Sequence, residues 1–136
     1  MQSHLYVALV TLLAAAVYFW MATQVARTRV KVGILPPAMT GDPRLERTIR
    51  AHLNMLEWLP IFLPSLWLFA IYWNSDVAAA LGLVWIAGRI VYFVGYVSEA
   101  RKRFPGFFIQ SCAAAALLLG AIGRIAYSAW FGTAVP

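Results

Sequence analysis

An all-α, integral membrane four-helix bundle is the fold this sequence predicts, and three observations predict it. Hydrophobic residues make up 62% of the 136-residue chain and charged residues only 12%, the balance of a protein built for a bilayer. Four apolar stretches, residues 5–26, 55–73, 77–97 and 107–131, are each near or above the roughly 20 residues a helix needs to cross a hydrocarbon core. Within them, residues 78–87 and 113–122 are almost continuously apolar, whereas a transmembrane β-strand would alternate apolar and polar positions. The chain therefore reads as one transmembrane domain, 1–136, without a repeat, a low-complexity stretch, a dinucleotide fingerprint or a phosphate loop.

Each element has its own reason. The first span lacks the basic start of a secretory signal and exceeds the about 7 to 15 apolar residues of a signal core, so it is expected to be retained. Residues 33–43 carry Pro36, Pro37, Pro43, Gly33 and Gly41, which predicts a shaped loop and interrupts the helical pattern. Asp42-Pro43 is a helix start: the carboxylate caps free backbone donors and the proline already holds a helical φ. A helix from Pro43 to Trp73 would reach about 46 Å against a hydrocarbon thickness of roughly 30 Å. Its first turns must then project into the interface, with a bend expected at Pro60, just beyond Glu57. The third helix is expected to run past its apolar section toward Arg103 and to end before Phe104-Pro105-Gly106. Cys112, the only cysteine, lies in the fourth span as a packing residue, and Arg124 in the same span is expected to snorkel to the surface.

Charge sets topology. The net charge of +6 comes from residues that flank the spans, not from a basic domain with interleaved aromatics, so nucleic acid is excluded as a partner. Arg27, Arg29, Lys31, Arg44, Arg47 and Arg50 lie in or beside the first connection and Arg101, Lys102 and Arg103 in the third, while the short second connection has none. The positive-inside rule puts the first and third connections in the cytoplasm and both termini on the other side.

Against this background the polar residues at the start of the second span stand out. Arg47, Arg50, Asn54 and Glu57 are spaced by three, four and three residues, which keeps them within an arc of roughly 80° at about 100° per residue. Ionisable groups are expensive there and mark a site. On the third helix Arg89, Tyr92 and Tyr96 share a second face, although tyrosines also anchor membrane interfaces and Arg89 alone could snorkel or pair with Glu57. Together the stripes offer guanidinium groups, an amide, a carboxylate and two phenols, a set suited to a small zwitterionic peptide. Glutathione, with two carboxylates, one ammonium group and a thiol, fits. His52 lies beside the stripe, and with only His4 as a second histidine there is no metal constellation.

The run Glu46-Arg47-x-x-Arg50-Ala51-x-x-Asn54-x-x-Glu57-x-x-Pro60 resembles the signature of the MAPEG superfamily, the membrane-associated proteins of eicosanoid and glutathione metabolism. Pro36-Pro37, Leu66-Trp67 and Arg89-x-x-Tyr92-Phe93-x-Gly95-Tyr96 extend the resemblance, which is nearest to leukotriene C synthase and the microsomal glutathione transferases. It implies a homotrimer of four-helix subunits that binds glutathione between neighbours. The implied glutathione contacts are Arg29, Arg50, Asn54, Glu57, Tyr92, Tyr96 and Arg103, with Arg29 supplied by the adjacent subunit. His52 and Trp58 stand where the family pattern has a glutamine and a tyrosine, so both are weaker candidates; Arg47 and Arg101 complete the candidate set.

Arg103 is the expected catalytic group, with Arg101 its rival. A free thiol has a pKa near 8.5, and a fixed cation stabilises the thiolate that attacks electrophiles. Arginine holds its charge at any physiological pH. The expected reaction is conjugation of glutathione to a lipophilic electrophile that arrives through the bilayer, with reduction of lipid hydroperoxides by the same thiolate as a second use. Two other classes compete: a non-catalytic lipid-binding relative, and a small multidrug transporter using Glu57, whose cationic cargo the arginine stripe would repel. A bacterial inner membrane suits the chain better than the endoplasmic reticulum, since no retention signal is evident.

Overall fold

A computed structural model describes residues 4–132. Four long helices, α1 (Leu5–Val32), α2 (Pro43–Tyr72), α3 (Ser75–Ser98) and α4 (Phe104–Phe131), run in chain order, and each is long and apolar enough to cross a membrane. The protein is an integral membrane four-helix bundle, as the sequence predicts. The chain ends beyond His4 and Gly132, including the expectation for the side they face, lie outside the described residues.

Local chemistry sets the boundaries. Gly33 closes α1 in the left-handed region at φ 72°, where only glycine is free of strain, and its N–H donates to Arg29 O at 2.8 Å. Asp42 caps α2 by accepting from Leu45 N at 2.8 Å, with Pro43 in the first turn. Asn74 caps α3 in the same way, accepting from Val77 N at 2.9 Å. The helix α2 continues through Pro60 and Pro64, each of which removes a backbone donor, and Ser65 Oγ donates to Ile61 O at 2.6 Å beside the gap.

The third helix departs from expectation. It stops at Ser98, Glu99 is extended at φ −157°, ψ 137°, and Ala100–Arg103 form a separate 3-10 turn that leads into α4. Arg103 therefore sits at the head of α4 and is not a continuation of the α3 stripe. The reason is close backbone packing: a Cβ on Gly95 would collide with the carbonyl of Lys102, so the glycine lets the chain fold back over the end of α3. Arg47 fastens that end, donating from Nε and Nη2 to Val97 O at 3.3 Å each. Arg124 does the same for α2, donating from Nε to Tyr72 O at 3.2 Å. Arg124 thereby caps a helix terminus, whose last carbonyls lack internal partners.

Packing between helices rests on small residues. Buried Val7, Val10, Ala14, Val17 and Met21 recur every three or four residues along α1, the seam of a helix bundle. At the α3·α4 contact a Cβ on Gly88 would lie 2.7 Å from Gln110 N, and one on Gly106 would overlap the backbone of Tyr92. Such approaches maximise dispersion contacts where lipid removes the hydrophobic drive. Phe62 and Trp85 stack at 3.8 Å in the centre. Outward faces carry Leu12, Phe19, Val94 and Leu119, and Cys112, expected as a packing residue, is exposed there instead.

Candidate functional site

The two polar stripes meet where α2 and α3 approach the turn that carries Arg103. Arg50 and Glu57, two turns apart on α2, form a two-pronged pair, Nη1 to Oε1 at 2.8 Å and Nη2 to Oε2 at 3.4 Å. Asn54, between them, donates from Nδ2 to Glu57 Oε2 at 3.1 Å and accepts at Oδ1 from Arg89 Nη1 at 2.9 Å. A continuous chain of Arg89, Asn54, Glu57 and Arg50 results. Arg89 is fully buried, and its guanidinium lies 4.5 Å from the centroid of the Tyr92 ring. This buried cation fixes which edge of the Asn54 amide faces Glu57.

Beside this chain is a cavity of about 420 Å³ lined by Arg50, Tyr92, Tyr96, Arg103, Phe104 and Phe107. Arg103 stands over its rim, 5.2 Å from the centroids of both Tyr96 and Phe104, a distance at which a cation is drawn to an aromatic face. Tyr92 is buried and packs against Tyr96 at 5.7 Å and Phe107 at 6.5 Å. Two guanidinium groups, two phenols and an apolar wall thus converge on one space that carries net positive charge. Such a space favours an anionic ligand with a part that avoids water.

The other candidates lie elsewhere. Trp58 reaches the margin, its ring 6.1 Å from that of Phe107. His52 points to α1 and stacks on Tyr18 at 4.5 Å, because two residues along a helix reverse the facing. Arg47 is committed to Val97 O, and Arg101 is exposed and outside the cavity. Arg29 donates from Nη1 to Ile34 O at 3.3 Å and Ala38 O at 2.6 Å, shaping its own loop. Phe104 and Phe107 were not singled out from sequence; an aromatic pair three residues apart at the start of a span was the available signal. Among the described residues no group of His, Cys, Asp or Glu is gathered as a metal site would be.

The model of the MAPEG family matches residues 7–130. The chain belongs to the MAPEG family. An uncharacterised protein of Synechocystis sp. is 47% identical to this MAPEG protein over 118 residues, covering 87% of this chain and 86% of its own. Human microsomal glutathione S-transferase 2 is 44% identical over 117 residues, covering 85% and 80%. Leukotriene C4 synthase of Cavia porcellus is 36% identical over 121 residues, covering 88% and 81%. All three similarities extend well beyond the α2 signature.

Proposed function

We propose that this MAPEG protein is a glutathione-dependent membrane transferase in which Arg103 holds the glutathione thiolate for attack on a lipophilic electrophile. The observation that carries the reading is the convergence of Arg50, Arg103, Tyr92 and Tyr96 on one cavity with an apolar Phe104 and Phe107 wall. Relatives named as glutathione transferase and leukotriene synthase support the class of chemistry.

The α2 chain supplies binding. The Arg50 and Glu57 side chains are about half exposed, at 54% and 51%, and an exposed ion pair holds little free energy. A zwitterion can therefore insert, placing its carboxylate on Arg50 and its ammonium group on Glu57 while Asn54 bonds the peptide backbone. Tyr92 and Tyr96 offer phenolic hydrogen bonds to the remaining polar groups. With the α-amino acid end so anchored, the thiol comes under the Arg103 guanidinium. The thiol proton leaves to solvent, the thiolate sulfur forms a bond to the electrophilic carbon, and the leaving group departs with its electron pair. With a lipid hydroperoxide the same thiolate attacks the terminal peroxide oxygen; the alcohol leaves, water is lost when a second glutathione arrives, and glutathione disulfide is the oxidised product.

We further propose a homotrimer in which the neighbour's Arg29 completes the pocket, a bacterial inner membrane as its home, and cytoplasmic glutathione as its supply, consistent with the positive-inside reading. The test is glutathione binding to detergent-purified protein, followed by thiolate absorbance and turnover of a chromogenic electrophile. Binding with turnover that depends on Arg103 is the expected result. Absence of binding at millimolar glutathione would overturn the reading and favour a lipid-binding protein.

A further inference from the structure

A second cavity, at the far end of α4, takes no part in the proposed chemistry. It is an open groove of about 580 Å³ between the end of α2 and α4, lined by Trp73, Leu119, Gly120, Gly123, Arg124 and Tyr127. From Phe104 to Arg124 the helix rises roughly 30 Å, the thickness of a hydrocarbon core. Arg124 thus stands at the opposite headgroup level from Arg103, beside the turn joining α2 to α3.

Three observations give this cavity a ligand chemistry. Arg124 carries a full charge and spends one of its five donors on Tyr72 O; among the described residues no carboxylate pairs with it. The fixed Nε bond holds the guanidinium plane and leaves the terminal nitrogens for an anion. Gly123 is the second observation: a Cβ built there meets nothing within 4 Å, whereas at Gly120 the rings of Phe69 and Trp73 already fill that space, so the open part of the cavity lies over Gly123. The third is the wall, where Trp73 and Tyr127 present amphipathic rings of the kind that sit at headgroup level and Leu119 continues into the apolar face.

We propose that this cavity binds an anionic phospholipid, its phosphate on the free edge of the Arg124 guanidinium and the start of one acyl chain lying over Gly123 against Leu119. A phosphate in solution would satisfy Arg124 but leave the apolar floor exposed; a lipid satisfies both. The site is separate from the glutathione pocket and does not depend on it.

Native mass spectrometry of the protein released from nanodiscs containing equal phosphatidylglycerol and phosphatidylcholine tests the proposal. The wild type should retain phosphatidylglycerol about fivefold over phosphatidylcholine, the factor one cation near an anionic lipid supplies. Arg124→Gln should abolish that preference, and Gly123→Leu, which fills the floor without meeting protein, should lower total retention. Millimolar inorganic phosphate should not displace the lipid. The proposal is overturned by a wild type indifferent to headgroup charge, by retention unchanged in both variants, or by displacement with phosphate. A changed oligomeric mass in Gly123→Leu would also overturn it, since the cavity would then hold a second copy of the chain. Far-ultraviolet circular dichroism and thermal unfolding of each variant report that the bundle is folded, independently of any glutathione binding.

Discussion

At the level of single side chains, two arginines stacked on tyrosines have opposite surroundings and hence different expected effects. Arg103 is partly exposed at the cavity rim, where its charge can act on a ligand. A guanidinium beside the thiol stabilises the thiolate and so lowers the thiol pKa; removing it raises that pKa. If the lowering is about two units, equal to about 2.7 kcal/mol, the thiolate fraction at about pH 7 drops from about three quarters to about 3%, so Arg103→Ala should slow turnover about 25-fold there and approach about 100-fold below about pH 6. The loss should shrink as pH rises toward about 8.5, where a free thiol ionises unaided. A pH-rate profile of both proteins checks this, with Arg101→Ala expected to behave as wild type; the reverse outcome would transfer the assignment to Arg101. Arg89 is fully enclosed, and its Nε and Nη2 have no partner. Its contribution is to orient Asn54, so Arg89→Met should leave stability nearly unchanged, as incompletely satisfied buried charges often allow. Glutathione affinity should weaken about tenfold through loss of one charge-assisted hydrogen bond. Calorimetric titration beside thermal unfolding separates the two effects, and unaltered affinity would rule out the orienting role. The sequence placed Arg50, Asn54, Glu57, Tyr92 and Tyr96 on helical faces because spacing alone does that. It did not settle the partner of Arg89, since periodicity fixes facing and not which of two neighbours a long side chain meets.

At the level of elements, the site depends on how closely α4 lies against α3. Gly106 sits on the Tyr92 backbone with no room for a Cβ. Because the obstructing atoms are main chain, Gly106→Ala must push the start of α4 away from α3 and carry Arg103, Phe104 and Phe107 from Tyr92. A destabilisation of about 1–3 kcal/mol is expected from such overpacking, together with weakened glutathione binding; Gly123→Ala, with open space around its Cβ, should alter neither. Thermal unfolding in one detergent compares the two. The same contact explains what was legible. The four helices followed from apolar length, and the start of α2 from Asp42-Pro43, whose cap forms as the chemistry predicts. The end of α3 was not legible, because Ser98 to Arg103 contains no proline or glycine to punctuate the helix. The break comes from Gly95 admitting the returning Lys102 backbone, a contact that no local pattern encodes. His52 likewise joined the candidates because it stands where the family pattern has a glutamine, while its side chain packs toward α1 against Tyr18.

At the level of the whole molecule, the cavity lies open on one side of the subunit and one expected contributor is missing from it. Arg29 bonds the carbonyls of Ile34 and Ala38 within its own loop, and it does not line the space formed by Arg50, Tyr92, Tyr96 and Arg103. An arginine that binds glutathione from this position would have to act on a neighbouring subunit's pocket, as the proposed trimer requires. Closed cyclic assembly repeats one heterologous contact around the ring, so every pocket would take Arg29 from one subunit and Arg103 from the next. Mixing distinguishes this from a self-contained site. Arg29→Ala and Arg103→Ala subunits, each weak alone, should recover activity when coexpressed, because a pocket flanked by the unmutated side of each variant carries both arginines. With equal amounts and random assembly about one quarter of the pockets are complete, and turnover per subunit should approach that share of wild type. If each pocket is built within one subunit, every pocket in the mixture lacks one arginine or the other, and coexpression restores nothing. Light scattering corrected for detergent supplies the mass of the particle, so that failed recovery in a trimer is told apart from failure to assemble: the first rejects the shared site, the second rejects the trimer itself.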